Sequence, residues 1–352
     1  MNALDMDVLE SHALPETIES VAELEDLLST PTPELAADFA RLEGDILILG
    51  VGGKVGPTLA RMAKRAAPEK RVIGVARFSD PGIKQQLEEY GIETLTADLL
   101  DRSAVQALPR IENIVYMAGR KFGTAGFEPD TWAINAVVPT HVGEILNKTR
   151  FVAFSTLCVY PFADVNGPGS APATHPPEPL GEYANSCVAR ERIFQYFSKQ
   201  SNSPGRLVRL NYAIDLRYGV LQDVALKVLN QQPIDIRTGV ANVIWQGDAT
   251  AQILRCLRHG TVPATAVNIG AEKPAEIRSV AHRFGDLFGV DPIFEGEEAD
   301  MAWHNDTSEA RGLFGPTVVD LDTMIRWNAH WLQKGGAVYH KPTHYDQRDG
   351  KF

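Results

Sequence analysis

The chain has 352 residues, 44% hydrophobic and 22% charged, with 45 acidic against 34 basic side chains and a formal net charge of −11. That length holds one large α/β domain, or two closely joined ones, with ample core. The acidic balance argues against nucleic acid as a partner, no apolar run is long enough for a bilayer, and the acidic N-terminus lacks the features of a signal peptide. A cytoplasmic protein without a membrane partner is expected. Cys158, Cys187 and Cys256 are too few and scattered for a disulfide framework or a zinc cluster, so they are expected to be reduced thiols, with no metal site.

Residues 1–43 read as an N-terminal helical extension. It is acidic and mobile at first, then helically patterned from Pro15 to Leu42 with breaks at Pro31 and Pro33. The expected role is an arm packed on the domain or on a neighbour. Asp45 to Gly50 (DILILG) is a short apolar run of the kind a buried parallel strand needs. Gly50-Val51-Gly52-Gly53-Lys54-Val55-Gly56 follows, then a stretch with apolar residues at helical spacing and Lys64 and Arg65 near its end. Strand, glycine turn and helix are the setting of a dinucleotide fingerprint. Gly50, Gly53 and Gly56 allow a tight turn, close approach to a pyrophosphate and close helix–strand packing, and the helix N-terminus faces the negative charge. Gly52, Lys54 and Val55 complete that cofactor loop. Strands are then predicted over 71–77, 92–97, 113–118, 151–155 and 205–210. The alternation predicts an α/β fold with a doubly wound parallel sheet (Rossmann) over 44–210, and a smaller α/β C-terminal substrate region over 211–352 interleaved with it.

From about Asp45 to at least Gly270 the chain resembles an extended short-chain dehydrogenase/reductase of the NAD-dependent epimerase/dehydratase family. The matches fall in order: the glycine loop, Asp98 with Leu99 after the third strand, Ala118-Gly119 at the end of the fourth, and Asn135 in the next helix. Phe154-Ser155-Thr156-Leu157-Cys158-Val159-Tyr160 resembles the fifth-strand segment, Tyr183 stands where a catalytic tyrosine is kept, and Asn211 and Asn268-Ile269-Gly270 match later segments. The resemblance implies an oxidoreductase, epimerase or dehydratase acting on a sugar or nucleotide sugar, and a homodimer is expected. Thr156 then hydrogen-bonds the reacting oxygen, Tyr183 is the general acid/base, and Asn211 touches substrate. Where NAD-binding members carry an acidic residue after the second strand, this chain has Ala76 followed by Arg77. NAD or NADP is therefore expected, with a lean to NADP because Arg77 suits a 2′-phosphate.

One position departs from the pattern. The family's lysine, one helical turn after the tyrosine, is Cys187 here. A free tyrosine titrates near pH 10, and a cation about 4 Å away contributes roughly 4 kcal/mol at an effective dielectric of about 20, or about 3 pKa units. Cysteine cannot supply that charge. Lys121 is the first candidate to replace it and Arg190, seven residues after Tyr183, the second. An enzyme that needs no strongly activated tyrosine, or a pseudoenzyme binding nucleotide or sugar as a sensor or scaffold, are the alternatives. A nucleophilic Cys187 is disfavoured beside Glu182 and Glu191, and Cys158 reads as a small core residue.

The segment 161–179, rich in proline and glycine, is expected over the active site. Arg217 reads equally as a phosphate or carboxylate contact and as half of a structural ion pair. Asp248 is expected to support the fold. Trp303-His304-Asn305-Asp306 reads as a sugar contact or a surface turn, and the tail from His340 as packing against a partner subunit.

Overall fold

The apolar runs assemble into one parallel sheet in a computed structural model that describes residues 14–121, 123 and 126–351. Its strands are β1 (Ile46–Leu49), β2 (Val72–Ala76), β3 (Glu93–Thr96), β4 (Asn113–Tyr116), β5 (Arg150–Thr156), β6 (Gly205–Leu210) and β7 (Thr265–Ile269). They lie in the order β7-β6-β5-β4-β1-β2-β3, every neighbour parallel. Ile46 pairs with Val72 on one side and Asn113 on the other. Chain order reverses between β1 and β4, so their C-terminal ends open the crevice where ligands of such sheets bind.

The helices that matter for the site are α1 (Val21–Leu28), α2 (Pro33–Ala40), α3 (Gly56–Ala66), α4 (Val138–Ile145), α5 (Gly181–Ser201), α6 (Val220–Leu229), α7 (Gln246–Arg255), α8 (Ile277–Phe288) and α9 (Leu321–Gln333). On one face of the sheet Phe39, Leu59 and Ile253 pack against Ile46, Ile48 and Val208. On the other, Val142 and Phe194 pack against Leu47, Leu49 and Phe151. Burial on both faces is why the central strands read as unbroken apolar runs. A third core joins α1, α6, α8 and α9 through Leu24, Val224, Phe284 and Trp327. The smaller region is not separate, since β7 forms one edge of the main sheet. Among the described residues no helix is long and apolar enough to cross a membrane.

The N-terminal arm forms two helices, and Pro33 opens the second with the Thr32 hydroxyl accepting the Leu35 N–H at 3.2 Å. The acidic stretch read as mobile, up to residue 13, lies outside the described residues. The arm lies on its own chain: Leu24 and Leu28 enter the third core, Leu35 and Phe39 the first. Burying those four side chains contributes roughly 2 kcal/mol each. The exposed Asp26 pairs with Arg61 and Arg65 at 2.9 and 3.1 Å contribute under about 1 kcal/mol apiece, so the apolar seam holds the arm.

The C-terminal tail, expected against a partner, also folds back on its own chain. Tyr345 is buried, Thr343 donates its N–H and hydroxyl to Asp223 at 2.8 and 2.5 Å, and Arg348 donates to the Arg237 and Met301 carbonyls. Gly350 then reaches Leu180 and Gly181, beside the start of α5. The tail can do this because its few apolar and hydroxyl groups find partners on α6, which composition alone does not reveal.

Candidate active site

The glycine loop turns at Gly50, whose φ of +91° favours glycine and where a Cβ would lie 2.6 Å from the Ala118 nitrogen. A Cβ on Gly56 would run into the Val51 carbonyl, so α3 starts close under β1 only with glycine there. Together they bring the loop and the start of α3 close under β1, beside a cavity of about 380 Å³. Gly50, Gly52, Gly53, Ala76, Arg77, Asp98, Leu99, Ala118 and Gly119 line it, as do Phe78, Ser79, Asp80, Met117, Ile134 and Val138. Of the loop residues named from the sequence, Lys54, Val55 and Gly56 do not. Val55 packs on the core, Gly56 is sealed inside, and the Lys54 ammonium turns away to the Tyr218 ring, 2.6 Å from its centroid. The residues that sequence reasoning missed come from the turn after β2, from the end of β4 and from the helical segment that runs into α4. Phe78, Met117, Ile134 and Val138 carry no signal beyond their position, and Ser79 and Asp80 read as ordinary turn residues. Asp98 and Asp80 each spend one carboxylate oxygen on a local N–H, Leu100 and Gly82, at 3.0 and 2.9 Å.

A second cavity, of about 250 Å³, shares Met117 and Gly119 with the first and adds Lys121, Thr156, Cys158, Tyr183, Arg190, Asn211 and Tyr212. The end of β4 is thus the common wall. Tyr183, in the first turn of α5, hydrogen-bonds Thr156 at the end of β5, and Thr156 Oγ1 also accepts the Cys158 N–H at 3.2 Å. Burial pushes the Tyr183 phenol well above its ordinary value of 10.0, reinforced by Cys187 and Cys158 and opposed by Arg190 and the Thr156 hydrogen bond.

Cys187 is fully buried among Val159, Tyr160, Tyr183 and Val188. Burial pushes its thiol up to about 11, against the pull of Arg190, so it is protonated at neutral pH and inert as a nucleophile. Arg190 lies three residues further along the same face, only 4% exposed. Its Nη1 donates to the Phe154 carbonyl at 2.9 Å and its Nη2 to Asn135 Oδ1. A Cβ on Gly119 would stand 2.9 Å from Nη2, so the missing side chain at 119 is what lets the guanidinium reach the wall between the two cavities. Asn135, on a π-helical turn (Ala133–Val137), also clamps Arg120 through its N–H and carbonyl, both at 3.0 Å, and donates to Ser186 at 2.9 Å. Of the two cations the sequence offered, Arg190 draws down Tyr183, Cys187 and Tyr116. Lys121, half-buried, stands 5.9 Å from the Tyr212 ring and within electrostatic reach of Cys158 and Cys187, its own ammonium pushed down by the surrounding protein.

Around this pocket the polar groups are committed to structure. Glu191 takes Arg209 through Nε and Nη2 at 2.9 and 2.7 Å and the Ser155 hydroxyl at 2.6 Å. Tyr160 donates to Asn268 at 2.9 Å. Arg217 is paired with Asp215 and with Glu25 of α1, both at 2.9 Å. Trp303-His304-Asn305 is not a surface turn: all three are buried, Trp303 donating to the Tyr160 carbonyl at 2.9 Å and Asn305 accepting from Asn211. The short antiparallel pair of Ala163–Asp164 with Met301–Ala302 draws the segment under the 161–179 loop. His304 Nε2 lies 2.7 Å from the Asp164 carbonyl, a structural contact.

A glycine loop at a helix N-terminus, set at the reversal point of a parallel sheet and opening onto a tyrosine–threonine pocket, defines a dinucleotide-binding protein of Rossmann type. Residues 46–237 match the NAD dependent epimerase/dehydratase family, and the chain belongs to it. A sequence comparison with curated proteins finds no match. Among solved structures, a UDP-glucose 4-epimerase of Thermotoga maritima with UDP-glucose is similar at 16% identity and a TM-score of 0.67, over 82% of this chain and 99% of that one. A dTDP-glucose 4,6-dehydratase of Bacillus anthracis in complex with NAD is similar at 14% identity and 0.70, over 83% and 97%. An epimerase of Methanothermobacter thermautotrophicus is similar at 17% and 0.68, over 86% and 96%. At such identities the likeness is one of fold.

Proposed function

We propose that this protein is a nicotinamide-dependent epimerase, dehydratase or oxidoreductase of a sugar or nucleotide sugar, with Tyr183 as acid/base and Arg190 carrying the charge that position 187 lacks. The observation that supports it is the placement of a buried guanidinium behind Gly119, at the wall shared by the two cavities and within electrostatic reach of Tyr183. The first cavity fits the cofactor: Gly50 and Gly52 keep it open, since a Cβ on Gly52 would meet that of Ala76 at 3.2 Å. Bound there, the nicotinamide would accept and return a hydride.

In this reading Thr156 holds the reacting oxygen and Tyr183 exchanges its proton. Arg190 stabilises the phenolate as that proton leaves, and Asn135 and the Phe154 carbonyl fix the guanidinium in place. Lys121 is left to the substrate side. Cofactor choice is read from the end of β2: Ala76 puts no carboxylate there, and the exposed Arg77 lines the cleft with Ser79, which favours NADP over NAD against the charge of Asp80 on the same wall.

The test is to denature freshly purified protein and identify released nucleotide by chromatography and mass, then titrate emptied protein with NAD and NADP. Bound or titratable cofactor together with exchange of hydrogen at a sugar carbon is expected. Cofactor binding without exchange would leave a nucleotide-binding pseudoenzyme, and binding of neither would remove the redox reading.

A further inference from the structure

Lys54 stands in the cofactor loop, yet its side chain leaves that cleft. Its ammonium sits on the face of Tyr218, which lines a third cavity, of about 310 Å³, between the start of α6 and the C-terminal tail. Tyr212 of the tyrosine pocket is within electrostatic reach of Tyr218, Tyr345 and Asp346, which line this cavity. Two groups on its wall point to a ligand. Gln222 is buried at 2% exposure with neither Nε2 nor Oε1 hydrogen-bonded, and the Tyr345 hydroxyl, at 3%, is likewise without a partner among the described residues. Buried donors and acceptors of this kind are normally satisfied, and a polar ligand reaching both would do so.

We infer that Lys54 belongs to the substrate and not to the cofactor: it binds an anionic group on the non-reacting end of the substrate, which passes from the Tyr183 pocket into the tail cavity and completes Gln222 and Tyr345. The inference rests on the sugar-directed reading above. Lys121 flanks the same path, close enough that it and Lys54 repel, which an anion between them would relieve. Of the carboxylates nearby, Asp215 is engaged by Arg217 and Asp223 by Thr343, while Asp346 also lines the cavity. Lys54 keeps solvent access while protein crowds its ammonium, as on the wall of a cleft. That crowding, with Lys121 and Arg217, draws it down to about 7 against the pull of Asp215 and Asp223. Anion binding therefore strengthens as pH falls through 7 and weakens above it. The anion is a diphosphate linker, a phosphate monoester or a carboxylate, and the ligands of the experiment separate these.

The experiment uses the cofactor-loaded enzyme and calorimetric titration with UDP-glucose, glucose 1-phosphate, glucuronate and neutral glucose. Lys54→Met is expected to weaken the anionic ligand that binds the wild type by about 30-fold, with Lys54→Arg recovering most of it. Binding of glucose, and of NAD or NADP to the emptied protein, is expected to be unchanged, and thermal melting confirms that both variants fold. The ligand that responds identifies the anion. The inference is overturned if Lys54→Met leaves every anionic ligand unaffected, if it weakens cofactor instead, or if no anionic ligand binds the wild type at millimolar concentration. Failure of the sugar-directed reading looks different, because the wild type then binds neither cofactor, or binds cofactor without hydrogen exchange at a sugar carbon.

Discussion

Putting the lysine back at position 187 tests whether Arg190 has taken over its charge. Cys187 has no exposed surface, and Arg190 is the cation that draws its thiol down most strongly. A lysine there sets a second buried cation beside the first, and two like charges about 5 Å apart repel by roughly 3 kcal/mol at an effective dielectric of about 20. The longer side chain also overpacks Val159 and Tyr160, at about 1–3 kcal/mol. Cys187→Lys alone is thus expected to lose about 4–6 kcal/mol, a large share of a typical folding free energy. Arg190→Ala alone strips a donor from the Phe154 carbonyl and from Asn135, about 1–3 kcal/mol for each group left unsatisfied. It also removes the charge that draws down Tyr183, so the pKa limiting the rate rises. The double variant has one cation and no repulsion. It should be more stable than the sum of the single changes by about 3 kcal/mol, and more active than either. Denaturant unfolding of the four proteins gives the coupling, and pH–rate profiles give the tyrosine. Simple additivity of the two substitutions, or a gain of activity in Cys187→Lys with stability unchanged, would refute the exchange of charges.

Two further outcomes are expected. Arg77→Ala should weaken NADP by about 10-fold or more while leaving NAD nearly unchanged, since only the 2′-phosphate meets the guanidinium; fluorescence titration decides it, and equal losses for the two cofactors would contradict the assignment. Asp248, buried in α7 and accepting the Val319 N–H at 2.9 Å, is pushed by burial from 3.8 to about 6. The folded state then holds this proton more tightly than the unfolded one, so the contribution to stability is present below pH 3.8 and lost as pH rises through about 6. Asp248→Asn removes that slope, and the variant should gain on the wild type by about 3 kcal/mol between about pH 4 and pH 7; parallel stability curves would count against it.

The sequence by itself determined the frame. The sheet and the cofactor loop are local matters: an apolar run bounded by glycine, a turn that needs φ near +91° at Gly50, a helix that can start only where Gly56 has no side chain. Such requirements are written in consecutive residues, so the strands were readable to within a residue or two, and Thr156 and Tyr183 could be named from their motifs. Only the tertiary structure placed the Arg190 guanidinium at the wall of the tyrosine pocket. Arg190 reaches the pocket wall because Gly119, far away in sequence, leaves room and Asn135 offers an acceptor, and no spacing rule carries that coincidence. It likewise turned Lys54 out of the cofactor cleft, spent Arg217 on Asp215 and Glu25, and folded the tail onto α6. Long side chains reach well beyond their own backbone position, so where their charges end up depends on packing between segments that sequence order does not connect.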